Sequence, residues 1–202
     1  DNRLCRRVSC DMLMIVKNNY FWTEKEKKES GEGSAGAVPA FLANGDRAKV
    51  LRVSNYIELY GFRFATLLLQ LPDYDDYEMQ VTGMLDTLQS EAPALTHEQQ
   101  EELFRQVEED YQHFVPLKAD RMKSIRQDAY FNALQIKYAY AVTCHKAQGG
   151  QWAHVYVDQG YMTDDMLTPD YIHWLYTAFT RATDKLFLVN WPKEQTSEPT
   201  DL

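Results

Sequence analysis

The sequence predicts a mixed α/β fold made of a small β-barrel, a helical insertion and part of a parallel-sheet domain. Three observations carry this expectation. Between residues 12 and 85, short apolar runs alternate with turn signals, the pattern of a small barrel. At residue 96 a capping-box sequence opens a segment with one apolar stripe. Towards the C-terminus, residues 140–152 read as a strand that ends in polar side chains and two glycines, and an amphipathic helix downstream delivers Arg181. The corresponding divisions are residues 1–95 for the barrel, 96–130 for the helical insertion and 131–202 for the sheet portion.

Within the first division, the apolar run 12–16 ends at Asn18-Asn19 and reads as a strand entering a turn. Tyr20-Phe21-Trp22 gives an aromatic run suited to contacting a partner or a nucleic-acid strand. The charged, Gly/Ser-rich stretch that follows has too little apolar surface to order itself, and a mobile loop is expected over 23–38. Asn44-Gly45 is a hairpin signal before a strand at 48–53. Residues 56–71 hold Ile57, Leu59, Phe62, Phe64 and Leu67 to Leu69 around Gly61, which predicts two strands meeting at a turn, with Pro72 closing the second. Residues 77–85 supply a further strand.

In the second division, Thr96-His97-Glu98-Gln99 fits the capping box, and Leu103, Phe104, Val107, Tyr111 and Phe114 share a stripe, predicting a helix over 96–114 that Pro116 ends. A second helix at 118–127 carries Arg121, Lys123 and Arg126, a basic cluster that fits either a nucleic-acid backbone or charge balance with the acidic helix before it. In the third division, the alternation over 134–142 permits helix or strand. Ile172, Leu175, Tyr176 and Phe179 predict a buried helical stripe, residues 185–190 the last strand, and the polar tail from Pro192 a frayed end.

Composition narrows the classes. The net charge of −9 opposes a simple basic nucleic-acid binder, but most of it crowds into residues 73–110, where Arg105 is the lone base. Such a face repels phosphates and aids solubility. No apolar run approaches a membrane span and the start lacks a signal-peptide layout, so no membrane partner and a cytoplasmic location are expected. Three cysteines, Cys5, Cys10 and Cys144, have no paired spacing, and the five histidines are scattered, which argues against a disulfide framework and against a metal site.

The densest chemistry lies in Tyr140-Ala141-Val142-Thr143-Cys144-His145-Lys146-Ala147-Gln148-Gly149-Gly150-Gln151-Trp152 and in Tyr176-Thr177-Ala178-Phe179-Thr180-Arg181-Ala182. These segments, joined by a strand at 153–157, resemble the last two motifs of superfamily 1 helicases of the RecD-like branch, of the UvrD-like C-terminal type. The stretch from Asp11 to Tyr20 with Asn44-Gly45-Asp46 is similar, more loosely, to the start of the SH3-like insert of these proteins. The resemblance implies a partial RecA-like domain of the P-loop NTPase type, decides for a strand over 134–142, and covers about half of the chain. It also implies ATP with Mg as cofactor and single-stranded DNA as partner. No Gly-x-x-x-x-Gly-Lys-Ser/Thr sequence and no Asp-Glu pair after an apolar strand occur, so the phosphate cradle and the Mg ligands are expected in a separate N-terminal RecA-like half.

Carried onto this sequence, the resemblance makes Arg181 the arginine finger. The residues alone permit a salt bridge to Asp184 instead. Gln148, Gly149 and Gln151 fall on the nucleotide side, the glycine allowing close backbone approach to a phosphate. Many relatives carry Glu where Gln151 stands, which weakens the expected ribose contact. Thr143, His145 and Lys146 fall on the nucleic-acid side, able to position a strand through its phosphates, while a His145 that caps local backbone is the plainer alternative. Cys144 and His145 would point to opposite faces of a strand, which excludes a thiol–imidazole pair. The expected function is the C-terminal part of an ATP-dependent DNA helicase, inactive without its other half. The rival is a non-catalytic interaction module derived from a helicase tail, for instance one associated with an exonuclease complex.

Overall fold

The computed structural model describes residues 11–30 and 38–192. Arg3, Arg6, Arg7, Cys5, Cys10, residues 31–37 of the expected loop and the tail beyond 192 lie outside the described residues. The chain divides into two compact units, Asp1–Tyr140 and Ala141–Leu202.

The first unit is built on a closed barrel of five strands: β1 (Met12–Ile15), β2 (Arg47–Leu59), β3 (Phe62–Leu71), β4 (Tyr77–Met84) and β5 (Leu134–Tyr138). Strand β2 is a single 13-residue element where the sequence predicts two pieces. Register shifts between Val50 and Arg52 and between Ser54 and Ile57 bend it without ending it. Tyr60 and Gly61, both at positive φ, join β2 to β3 in the turn sense that suits twisted antiparallel strands. Leu13, Ile15, Val50, Leu67, Leu69 and Ile136 alternate inward to fill the barrel.

Strand β5 departs from the expected division of the chain. It pairs antiparallel with β1 and parallel with β4, so residues 134–138 close the barrel instead of opening a C-terminal sheet. The physical reason is visible in its burial: Leu134, Gln135 and Ile136 are all shielded, and both neighbouring edges lack another strand to satisfy them. The strand also stops at Tyr138, short of the 134–142 predicted.

Helix α1 (Phe21–Ser30) stands where a mobile loop is expected from residue 23. Composition missed its anchors. The Asn19 side chain accepts the Trp22 N–H at 3.2 Å, and the buried Trp22 indole donates to the Asn132 carbonyl at 2.9 Å. The fully buried Thr23 hydroxyl lies 2.9 Å from the Tyr20 carbonyl and 3.2 Å from that of Ala40. The first turn is thereby pinned to the barrel, and the charged remainder extends from it.

A short helix α2 (Asp86–Gln89) precedes the insertion, which consists of α3 (His97–Gln112) and α4 (Lys118–Arg126). Thr96 and Gln99 form the predicted capping box. Leu103 and Val107 of α3 and Ile125 of α4 pack with Phe62, Phe64 and Met84 in a second core. Within the basic cluster, Arg121 lies 3.5 Å from Glu108 and Lys123 lies 3.8 Å from Asp120, so these two bases are balanced within the insertion. Among the described residues, no helix is long and apolar enough to cross a membrane.

The second unit is a strand–helix–strand arrangement: β6 (Trp152–Asp158) and β7 (Ala182–Val189) pair in parallel, connected through α5 (Pro169–Phe179). The predicted buried stripe on α5 is only partly realised. Ile172 and Tyr176 are 61% and 71% exposed, because a sheet of two strands is too narrow to cover the whole apolar side of a helix.

Thr87 links the barrel to α2. Its hydroxyl accepts the Ile136 N–H at 3.1 Å and lies 2.9 Å from both the Met84 and Ile136 carbonyls, one of which takes its proton. Thr87→Val keeps the shape but strands a buried N–H and a buried carbonyl. It should lower unfolding free energy by about 1–3 kcal/mol in urea titration.

Candidate functional site

The residues singled out by the two C-terminal motifs meet in the second unit. A turn of 3-10 helix, Cys144–Ala147, follows the end of the barrel, and the chain then passes through Gln148, Gly149 and Gly150 into β6. His145 and Lys146 therefore sit on that helical turn, with Thr143 immediately before it, and not at the strand's end that the sequence predicts. All three are exposed. The opposite-face argument against pairing Cys144 with His145 loses its premise, since no strand runs through them. The Cys144 thiol instead donates to the Trp174 carbonyl at 3.5 Å.

Gly149 has a φ of +84°, and a side chain there would meet no atom within 4 Å. Gly150 is constrained differently: a Cβ would lie 2.4 Å from the Trp152 ring, so only glycine lets the indole fold back over the turn. The Trp152 N–H donates to the Arg181 carbonyl at 2.9 Å, which locks the start of β6 to the end of α5.

Arg181 follows α5 by two residues and reaches back across this junction. Its Nε donates to the Thr177 carbonyl at 2.9 Å, Nη1 to the Gly150 carbonyl at 2.9 Å and Nη2 to the Thr180 hydroxyl at 2.9 Å. The guanidinium and the glycine turn thus lie side by side. Gln151 joins them, its amide donating to the Thr180 carbonyl at 3.5 Å. The sequence-based alternative, a bridge from Arg181 to Asp184, does not form; Asp184 faces His154 at 3.2 Å. Among the described residues no carboxylate pairs with Arg181, and a guanidinium has five N–H donors, so two remain unengaged on a half-buried cation. Such a group can meet an anionic oxygen.

Thr177, Thr180 and Gly150 hold the guanidinium in place, yet the sequence reading gave them no role. Their signal was present, since Thr177 and Thr180 stand in the segment that delivers Arg181 and Gly150 beside Gly149, but spacing alone does not reveal that they would accept its hydrogen bonds.

Residues 138–189 match the family model of the UvrD-like helicase C-terminal domain. The match covers about a quarter of the chain and includes every residue of the cluster just described. It supports reading this segment as a helicase C-terminal domain. No curated protein matches the chain.

Burial pushes the Cys144 thiol above its ordinary value, and the positive charge of Arg181 partly offsets the shift. At a given pH near neutrality less thiolate is present than in free cysteine. Alkylation by iodoacetamide, followed at Cys144 by peptide mass spectrometry, should be slower than for free cysteine. Arg181→Met should slow it further by removing the offset.

Proposed function

We propose that this chain is part of an ATP-dependent DNA helicase of the RecD-like branch, contributing one wall of the nucleotide cleft and part of the grip on single-stranded DNA. The observation that carries the reading is Arg181: a half-buried guanidinium without a carboxylate partner among the described residues, held beside an open glycine turn within a segment similar to a helicase C-terminal domain. In this reading the second unit belongs to a RecA-like sheet and the barrel is the SH3-like insert.

The donor set fits a triphosphate nucleotide. Arg181 supplies two open N–H groups and a permanent charge, the Gly149 backbone offers an approach free of side chains, and the exposed Gln148 and Gln151 amides suit hydroxyl or phosphate oxygens. ATP would bring the transferable phosphoryl group, with Mg held by a separate phosphate-binding half. The role of Arg181 is to stabilise negative charge that grows during transfer, which a fixed cation does without reorganisation. Thr143, His145 and Lys146, on the turn just before, would position a DNA strand through its phosphates.

A further observation supports an incomplete sheet. Parallel strands are ordinarily covered on both faces, yet Tyr156 is 70% exposed, and Phe187, Leu188 and Val189 are exposed beside it. Tyr156 and Phe187 stack at 4.5 Å without cover.

The isolated chain should show no ATP turnover. Joined to a helicase half that bears a phosphate-binding loop, it should restore DNA-stimulated ATPase activity, and Arg181→Ala should cut kcat by about 10³-fold or more while nucleotide affinity changes little. Arg181→Lys, which keeps the charge but loses the fork, should recover only part of that loss. An unchanged kcat in the alanine variant would overturn the reading.

A further inference from the structure

We infer that Trp152 is a positioning residue for Arg181, keeping the Gly150 carbonyl where the guanidinium meets it. As a role in phosphoryl transfer, this rests on the reading of Arg181 proposed above. The indole covers the glycine turn. A Cβ built on Gly150 would lie 2.4 Å from Cη2 of Trp152, 2.9 Å from Cζ2 and 3.1 Å from Cζ3, so the outer ring of the indole packs against the Gly150 backbone.

Two consecutive glycines are a poor support for a fixed acceptor, because neither has a Cβ to restrict its φ and ψ. Yet the Gly150 carbonyl has to stay in place, since Nη1 of Arg181 donates to it at 2.9 Å. The backbone ties the turn at two points: the Gly150 N–H donates to the Ala147 carbonyl at 3.2 Å and the Trp152 N–H to the Arg181 carbonyl at 2.9 Å. Between them, the exposed Gln151 side chain reaches the Thr180 carbonyl only at 3.5 Å. The indole supplies the remaining restraint by closing one side of the turn against rotation of the Gly150 peptide. Thr177 and Thr180 hold Nε and Nη2 from the side of α5, so without the ring one of three anchors loosens and the guanidinium plane can tilt.

Backbone conformation does not account for the glycine at this position, because Gly150, unlike Gly149, is not at positive φ. What excludes a side chain is the ring. The atoms that a Cβ would meet, Cη2, Cζ2 and Cζ3, all belong to the part of the indole that a phenylalanine lacks. Residues 150 and 152 therefore depend on each other, and that dependence is measurable.

Low-temperature 15N–1H spectra of the guanidinium in the full chain, assigned with Arg181→Lys, test this. A held guanidinium gives separate Nη1 and Nη2 signals. Trp152→Ala should merge them, and Trp152→Phe, which keeps a ring, should leave them apart. Gly150→Ala alone should also merge them, while Gly150→Ala combined with Trp152→Phe should restore the separation, because the colliding atoms are gone. In the chain joined to a helicase half that bears a phosphate-binding loop, Trp152→Ala should lower kcat by about tenfold with the nucleotide KM changed by less than about twofold. The inference is overturned if Trp152→Ala leaves the Nη signals separate, if Gly150→Ala acts alike with and without Trp152→Phe, or if KM rises in place of the fall in kcat. Should Trp152→Ala not fold, the Gly150→Ala pair decides. An unchanged kcat in Arg181→Ala would remove the helicase reading alone, and the guanidinium signals would still decide whether Trp152 holds Arg181.

Discussion

Closure of the barrel by β5 is the constraint on which the first unit depends. A strand pairing antiparallel on one side and parallel on the other removes both free edges at once, and it brings Gln135 and Ile136 into position for everything attached to the barrel. Ile136 bonds Thr87 and so fixes α2, while Gln135 bonds Leu95 and so fixes the approach to the capping box of α3. Asn132, just before the strand, receives the Trp22 indole and the Asn19 amide and thereby orders α1. Three helices in different parts of the chain therefore take their placement from one short segment. That segment comes after all of them in sequence, so the first unit is held by long-range pairings and cannot be completed until its last strand arrives.

The same segment explains how much of the fold was legible beforehand. Hairpin signals, the capping box and the apolar stripe of α3 are local, and the elements they predict are present. What was missed is non-local. The order of α1 rests on Asn132, more than a hundred residues away, and nothing in the composition of residues 21–30 announces it. The assignment of residues 134–138 turned on which edges needed a strand, a question that alternation along one segment does not answer.

At the Arg181 cluster, the residue types and their order were legible while the partners were not. Motif spacing singled out Arg181, Gly149 and Gln151, and the structure brings them together. Reading Asp184 as the neighbour of Arg181 followed from proximity in sequence alone, but Ala182 begins β7, so the two residues belong to different elements and Asp184 turns to His154. The 3-10 turn at residues 144–147 was likewise unreadable, because alternation over 134–142 looks the same whether or not the strand stops at Tyr138.

The way Arg181 is held bears on whether it is scaffold or chemistry. An arginine serving only to tie α5 to the glycine turn would do so at least cost with its charge either in water or against a carboxylate. Here three donors are spent on two carbonyls and a hydroxyl, neutral acceptors that orient the guanidinium plane without cancelling its charge. Orientation without neutralisation is what an electrostatic role requires, since a cation already paired would have to break that pair before meeting another anion. The exposed His145, Lys146 and Gln148 and the side-chain-free approach at Gly149 leave room for such an anion. These contacts support the phosphate-facing role proposed for Arg181.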